Sequence, residues 1–310
     1  GYNGLNPANV AVTNTDNDVA GFTVNPVAGL VTTETAGTAQ FTVVLTSQPI
    51  ANVAIGLSSS DITEGTVAPA TLTFTAANWN VLQTVTVTGA DDLVVDGPIA
   101  YTVVTAAAAS TDVGYNGLNP ANVAVTNTDN DAAGFTVNPV SGLVTTEAGG
   151  TAQFTMVITS QPTANVSTTL SSSDATEGTV APASLTFTTA SWNVPQTVTV
   201  TGVDDFLDDG NINYNIRTAP AVSTDPNYNG VNPANVAASN IDNDAAGIAV
   251  DPVAGLVTSE AGAAAQFTVV LQSQPTANVG IVLSSSDLTE GTLAPNSLTF
   301  TAVNWNVPQT

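Results

Sequence analysis

The sequence predicts an all-β chain of tandem immunoglobulin-like sandwiches arranged end to end. Three observations carry this. The composition is β-forming: 43% of the 310 residues are hydrophobic and only 8% are charged, with Val and Thr recurring throughout. Short runs alternate apolar and polar residues with a period of two, and no helical pattern competes. The whole pattern also recurs every 113 residues.

The period is read from long identities. "GYNGLNPANVAVTNTDND" occupies residues 1–18 and returns unchanged at 114–131, with a third version, "NYNGVNPANVAASNIDND", at 227–244. Trp79, Trp192 and Trp305 stand 113 residues apart, as do Glu34, Glu147 and Glu260. The divisions expected are the last strand of a preceding repeat (1–20), complete repeats at 21–133 and 134–246, and an incomplete repeat at 247–310. A repeat of this length is long enough to bury its own core, which predicts separate beads rather than one continuous superhelix. The abrupt ends read as a window onto a longer array.

Within residues 21–133 the strands are expected near 21–25 (A), 38–46 (B), 52–58 (C), 71–75 (D), 82–90 (E), 98–105 (F) and 121–128 (G). In "AQFTVVLTS", Phe41, Val43 and Leu45 should face the core and Thr42, Val44 and Thr46 should face outward. "TLTFT" and "QTVTVTG" alternate in the same way. Turn-rich stretches such as "SSSDITEGTVAPA" and "DDLVVDGP" separate them. Seven short strands at this spacing predict a sandwich of immunoglobulin type.

Charge is distributed unevenly. The chain has 25 Asp and Glu against one basic residue, Arg217, and its formal net charge is −24. Such a surface disfavours nucleic acid and anionic membrane and favours cations. There is no Cys and no His, which excludes disulfides, zinc–thiolate sites and cysteine nucleophiles. No run of 18 apolar residues exists to span a membrane as a helix, and no signal peptide or anchor is visible.

In a seven-strand sandwich the A–B, C–D and E–F loops and the exit from G share one pole. Of the nine acids in residues 21–133, eight map there: Glu34 in A–B, Asp61 and Glu64 in C–D, Asp91, Asp92 and Asp96 in E–F, and Asp129 and Asp131 after G. Two unit charges of like sign ~5 Å apart repel by roughly 3 kcal/mol at an effective dielectric near 20. With no Lys to neutralise them, a hard divalent cation is the expected solution. Ca²⁺ accepts about six to eight oxygens in flexible geometry, whereas Mg²⁺ demands a strict octahedron. More than one ion per pole is expected. The plainer reading is that Asp and Asn gather in loops as turn caps. It does not explain why the opposite pole uses Asn, Gln, Pro and Ser instead.

The equivalent candidates in residues 134–246 are Glu147, Asp174, Glu177, Asp204, Asp205, Asp208, Asp209, Asp242 and Asp244. Asp16 and Asp18 continue the set before the first repeat, and Glu260 after the second. Asp112 and Asp225, in the F–G loops, read as turn caps or, alternatively, as groups reaching the acidic pole of the preceding repeat. Trp79 reads as a packing residue of the D–E loop.

Together these motifs resemble the Calx-beta family, the calcium-binding sandwich of sodium/calcium exchangers and many bacterial surface proteins. The resemblance rests on Glu147 in "TTEAGGTAQF", Asp174 in "SSSDATEGTVAP", Asp204 and Asp205 in "VDDFLDDG", and Asp242 and Asp244 in "NIDND". The chain departs from that pattern in closing strand G with Asp-Asn-Asp and in carrying Val95 where the next repeat has Asp208. The resemblance implies calcium at the pole joining successive domains.

The links between repeats, "NDAAGF" (130–135) and "NDAAGI" (243–248), follow directly on the candidate ligands. The functional expectation is therefore structural: a secreted, cell-surface segment of a bacterial filament or giant adhesin, stiffened by calcium at its junctions. Its partners would be neighbouring repeats and identical chains. The alternative is an adhesion module binding glycan or protein through its Trp and Tyr loops. An enzyme is disfavoured, because no His or Cys exists and no basic residue accompanies any Ser. Strand donation between chains through residues 1–18 is a further possibility, with truncation of a longer array the preferred one.

Overall fold

Strands form where β-branched and aromatic residues alternate with Thr, because one face of each run can be buried while the other stays wet. A computed structural model describes residues 1–310, which divide into two units, Gly1–Asp131 and Ala132–Thr310.

In the first unit the strands are β1 (Phe22–Asn25), β2 (Leu30–Thr33), β3 (Thr38–Leu45), β4 (Val53–Ser59), β5 (Gly65–Ala68), β6 (Thr71–Phe74), β7 (Gln83–Gly89), β8 (Ile99–Thr105), β9 (Ala109–Ser110) and β10 (Val123–Thr128). One sheet has the order β1-β3-β7-β5; the other runs β2-β10-β8-β4-β6, with β9 beside β4. The core lies between them. Phe41, Val43 and Leu45 of β3 and Val85 and Val87 of β7 are buried against Val53 and Ile55 of β4, Val103 of β8 and Val123 of β10. Full burial of one such side chain contributes about 1.5–3 kcal/mol over leaving it in water.

Three strands of this unit lie where the sequence reads as loop: β2, β5 and the two-residue β9. Residues 30–33 form β2, which runs parallel to β10 with Leu30 opposite Val125. The first strand thus splits, β1 joining one sheet and β2 the other. Residues 65–68 form β5, an edge strand paired with β7 from Gly65–Gly89 to Ala68–Thr86. "EGTVAPA" has the composition of a turn, yet Gly and Pro are tolerated on an edge, where half the backbone groups need no ladder partner.

The second unit repeats this plan. Its strands are β11 (Phe135–Asn138), β12 (Leu143–Thr146), β13 (Thr151–Ile158), β14 (Val166–Ser172), β15 (Gly178–Ala181), β16 (Ser184–Phe187), β17 (Gln196–Gly202), β18 (Ile212–Thr218) and β19 (Val236–Ile241). They form sheets β11-β13-β17-β15 and β12-β19-β18-β14-β16 around a core that includes Phe154, Met156, Phe187 and Ile216. Residues 247–310 add two hairpins, β20 (Ile248–Asp251) with β21 (Thr268–Leu271) and β22 (Val279–Val282) with β23 (Ser297–Phe300).

The pole opposite the acids is held by a buried tyrosine. The Tyr115 hydroxyl donates to the Ser47 carbonyl at 2.6 Å and accepts from the Ser47 N–H at 3.0 Å. Tyr228 does the same with Ser160, at 2.8 and 2.9 Å. Asp112 and Asp225 brace the same loops. Asp112 accepts from the N–H groups of Gly114 and Ile50, each at 2.8 Å, and Asp225 from those of Asn227 and Thr163. These are turn caps, as one of the two readings expects. Trp79 and Trp192 pack against the cores.

Residues 1–21 form no strand, although residues 1–18 are identical to 114–131, which contain β10. β10 is a strand because β8 and β2 flank it on both sides.

Candidate metal centre

Each acid of the first sandwich is delivered by a strand end. Glu34 continues β2, its N–H bonded to the Thr128 carbonyl at 3.2 Å. Asp129 and Asp131 follow β10, Glu64 precedes β5, and Asp92 and Asp96 lie between β7 and β8. The parallel β2–β10 pairing therefore aligns Glu34 with Asp129 and Asp131. The β5–β7 pairing brings Glu64 beside the loop carrying Asp92 and Asp96.

Two triads result. Carboxylate oxygens of Glu34, Asp129 and Asp131 lie within 4.8 Å of one another, and so do those of Glu64, Asp92 and Asp96. The second sandwich repeats both, with Glu147, Asp242 and Asp244 in one and Glu177, Asp205 and Asp209 in the other. The four glutamates are buried, Glu34 to 3% exposure and Glu147 to 2%.

Few protein donors meet these groups. The Asn130 N–H reaches Glu34 Oε2 at 2.9 Å, and the Gly97 N–H reaches Asp129 Oδ2 at 2.7 Å. Gly97 adopts φ 75°, a left-handed backbone that suits glycine and turns its N–H toward the aspartate. Asp131 Oδ2 and Asp244 Oδ2 are buried and accept no hydrogen bond at all.

The electrostatics follow. Burial pushes the Glu34 carboxyl up to about 7; the Asn130 bond pulls it back, and the charges of Asp129, Asp92 and Asp131 push it up again. Burial likewise raises Glu64, Asp96 and Asp131, with neighbouring aspartates adding to each. Glu147, Glu177, Asp209 and Asp244 are raised for the same reasons. Each triad thus concentrates carboxylates in a partly dehydrated place with no cation from the protein. Buried, orphaned carboxylate oxygens beside further hard oxygen donors fit a divalent cation of the calcium type.

The remaining candidates stand outside the triads. Asp61 is exposed and Asp174 half-buried, and each caps its own turn, accepting from the hydroxyl and N–H of Thr63 or of Thr176. Those bonds hold both carboxyls below the ordinary range. Asp91 and Asp204 accept from the side-chain amides of Asn130 and Asn243. Asp208 accepts from the Ala246 N–H at 2.7 Å. Asp16, Asp18 and Glu260 are exposed and join no triad. The twins of Asp16 and Asp18, namely Asp129 and Asp131, belong to a triad because Glu34 lies beside them.

Asn127 and Asn240 escape sequence reasoning. They are 1% exposed, and although residue 127 falls within the strand expected at 121–128, an Asn in "TNTDND" or "SNIDND" carries no apolar mark of burial and is not among the candidate site residues. Their place in alternation with the inward Val125 and Ala238 is the one signal that marks them as buried.

No protein-family model matches the chain, and no curated protein does. Among solved structures it is similar to the crystal structure of CBD12 from CALX1.2, at 13% identity and a TM-score of 0.34 over 71% of this chain and 99% of that one. It is also similar to the calcium binding domain CBD12 of CALX1.1, at 15% identity and a TM-score of 0.33 over 64% and 80%. A third is the S-layer protein SbsC, domains 4 and 5, at 14% identity and a TM-score of 0.28 over 61% and 77%.

Proposed function

We propose that the chain is a segment of a bacterial extracellular filament or giant surface adhesin, whose repeats are stiffened by calcium at their junctions. The observation that carries the reading is the pair of orphaned buried oxygens, Asp131 Oδ2 and Asp244 Oδ2, each inside a carboxylate triad. Glu34, Asp129 and Asp131 would hold one ion and Glu64, Asp92 and Asp96 another. The second sandwich offers Glu147, Asp242 and Asp244 together with Glu177, Asp205 and Asp209. A bound cation would supply the positive charge that the chain lacks.

The stiffening follows from where the ligands stand. Asp131 leads directly into Ala132, Ala133 and Gly134, and Asp244 into Ala245, Ala246 and Gly247. In the second unit, the loop that carries Asp205 and Asp209 also touches the next repeat. The Phe206 carbonyl accepts from the Gln274 N–H at 2.7 Å, and its ring lies 5.7 Å from that of Trp305. Asp208 holds the link through Ala246. Ordering that loop around an ion would therefore order the exit direction of the chain.

Small-angle scattering and thermal melting of the 310-residue chain test this. Calcium should narrow the distribution of end-to-end distances and raise the melting temperature. The stabilisation expected is about 2.7 kcal/mol per site at a hundredfold excess over Kd. A scattering profile and melting point that EDTA leaves unchanged would refute it.

A further inference from the structure

Beneath each Glu64-type triad runs a chain of buried hydrogen bonds that the metal reading does not itself require. The Thr32 hydroxyl lies 2.9 Å from Asn127 Oδ1 and 3.2 Å from the Tyr101 hydroxyl. The Asn127 amide donates to the Ala90 carbonyl at 2.9 Å and reaches Glu64 Oε2 at 3.4 Å. The second sandwich repeats every link: Thr145 to Asn240 at 2.9 Å, Thr145 to Tyr214 at 3.0 Å, Asn240 to the Val203 carbonyl at 3.0 Å and to Glu177 at 3.4 Å. Thr32, Tyr101, Asn127 and Glu64 are all 5% exposed or less.

The direction of the chain is forced. The Ala90 carbonyl can only accept, so the Asn127 NH₂ faces it and Oδ1 faces Thr32. Thr32 has one proton and gives it to Oδ1, so Tyr101 must donate to Thr32. Each donor therefore polarises the next toward the Glu64 carboxylate.

Two glycines make room for this path. A Cβ on Gly65, the residue after Glu64, would stand 2.2 Å from the Tyr101 hydroxyl. A Cβ on Gly89 would stand 2.5 Å from Asn127 Oδ1 and 2.3 Å from the Thr33 carbonyl. Gly178 and Gly202 meet the same atoms of the second sandwich at 2.2–2.5 Å.

We infer that Asn127 and Asn240 are positioning residues for the two metal sites of their sandwich. Each grips one triad through Glu64 or Glu177. Each also grips the carbonyl leading into the paired aspartates, Asp91–Asp92 or Asp204–Asp205. And each stands two residues before the first aspartate of the other triad, Asp129 or Asp242. One side chain thus sets the spacing of groups delivered by β5, β7 and β10, or by β15, β17 and β19.

The inference rests on the calcium reading, and calcium titration calorimetry on the full chain separates the two. The variant N127A/N240A should bind calcium about 10–100-fold more weakly than wild type. T32V/T145V, which leaves the asparagine amide present but unbraced, should lose at least about threefold, and T32S/T145S should restore wild-type affinity. Melting in EDTA is measured alongside. A folded N127A/N240A, or T32V/T145V should the first not fold, that binds calcium with wild-type affinity while melting lower in EDTA marks a merely structural network and overturns the inference. Wild-type chain that takes up no calcium overturns both readings.

Discussion

Glu147 is 2% exposed, and its Oε2 accepts only the Asn243 N–H, at 3.0 Å. Asp242, Asp205 and Asp209 all add repulsion to the cost of burying it. Its charge therefore opposes folding until a cation compensates it. Glu147→Gln keeps the shape and the acceptor for Asn243 but removes the charge. In EDTA this variant should melt higher than wild type, by about 4–8 °C for each kcal/mol of repulsion relieved. With calcium the order should reverse, because the variant loses about tenfold or more in affinity. Differential scanning calorimetry with and without chelator reads both signs. At this scale the sequence shows which residues are acidic but not which are buried. Glu34 and Asp61 sit in equally polar stretches, yet the first lies under a sheet end and the second caps an exposed turn.

At the scale of elements, local pattern and long-range pairing divide the work. β3, β7 and β8 are legible because their alternation exceeds any competing period. β2 and β5 are not, since four residues next to Gly and Pro carry too little pattern. Each becomes a strand only when β10 or β7 offers it a ladder. The F–G loops show the same dependence on a distant partner, because Tyr228 is 1% exposed and satisfies both the N–H and the carbonyl of Ser160, which is fully buried. Tyr228→Phe leaves those two groups unpaired and should cost the second sandwich about 1–3 kcal/mol in urea unfolding. A loss below a few tenths of a kcal/mol would mean that water replaces the hydroxyl.

For the molecule as a whole, the raised carboxyls make stability depend on pH when calcium is absent. Glu34 has a folded-state value near 7 against an ordinary 4.5, so the folded chain holds a proton that the unfolded chain has lost between those values. Protonation there favours the folded state, and that contribution disappears as pH rises through 7. Glu64, Glu147 and Glu177 act in the same direction. Asp61, Asp174, Asp242 and Asp287 oppose it, but their values are depressed below 3.8, so their contribution is lost only at lower pH. In EDTA the melting temperature should fall as pH is raised from 5 to 8, and saturating calcium should flatten the slope. A metal-free chain more stable at pH 8 than at pH 5 would contradict the burial of these groups.

The sequence by itself determined the 113-residue period, the β class, the faces of the long strands and the gathering of acids into loops of one pole. These follow from local chemistry, from alternation, turn residues and charge, which each stretch carries regardless of its partners. The tertiary structure alone decided which acids meet. It set Glu34 beside Asp131 through the parallel β2–β10 pair, left Asp61 in solvent, and buried Asn127 beside Glu64. The clearest case is β10, which is a strand through its pairing with β2 on one side and β8 on the other. A strand without neighbours has unpaired backbone groups, and only the flanking ladders of β2 and β8 satisfy them.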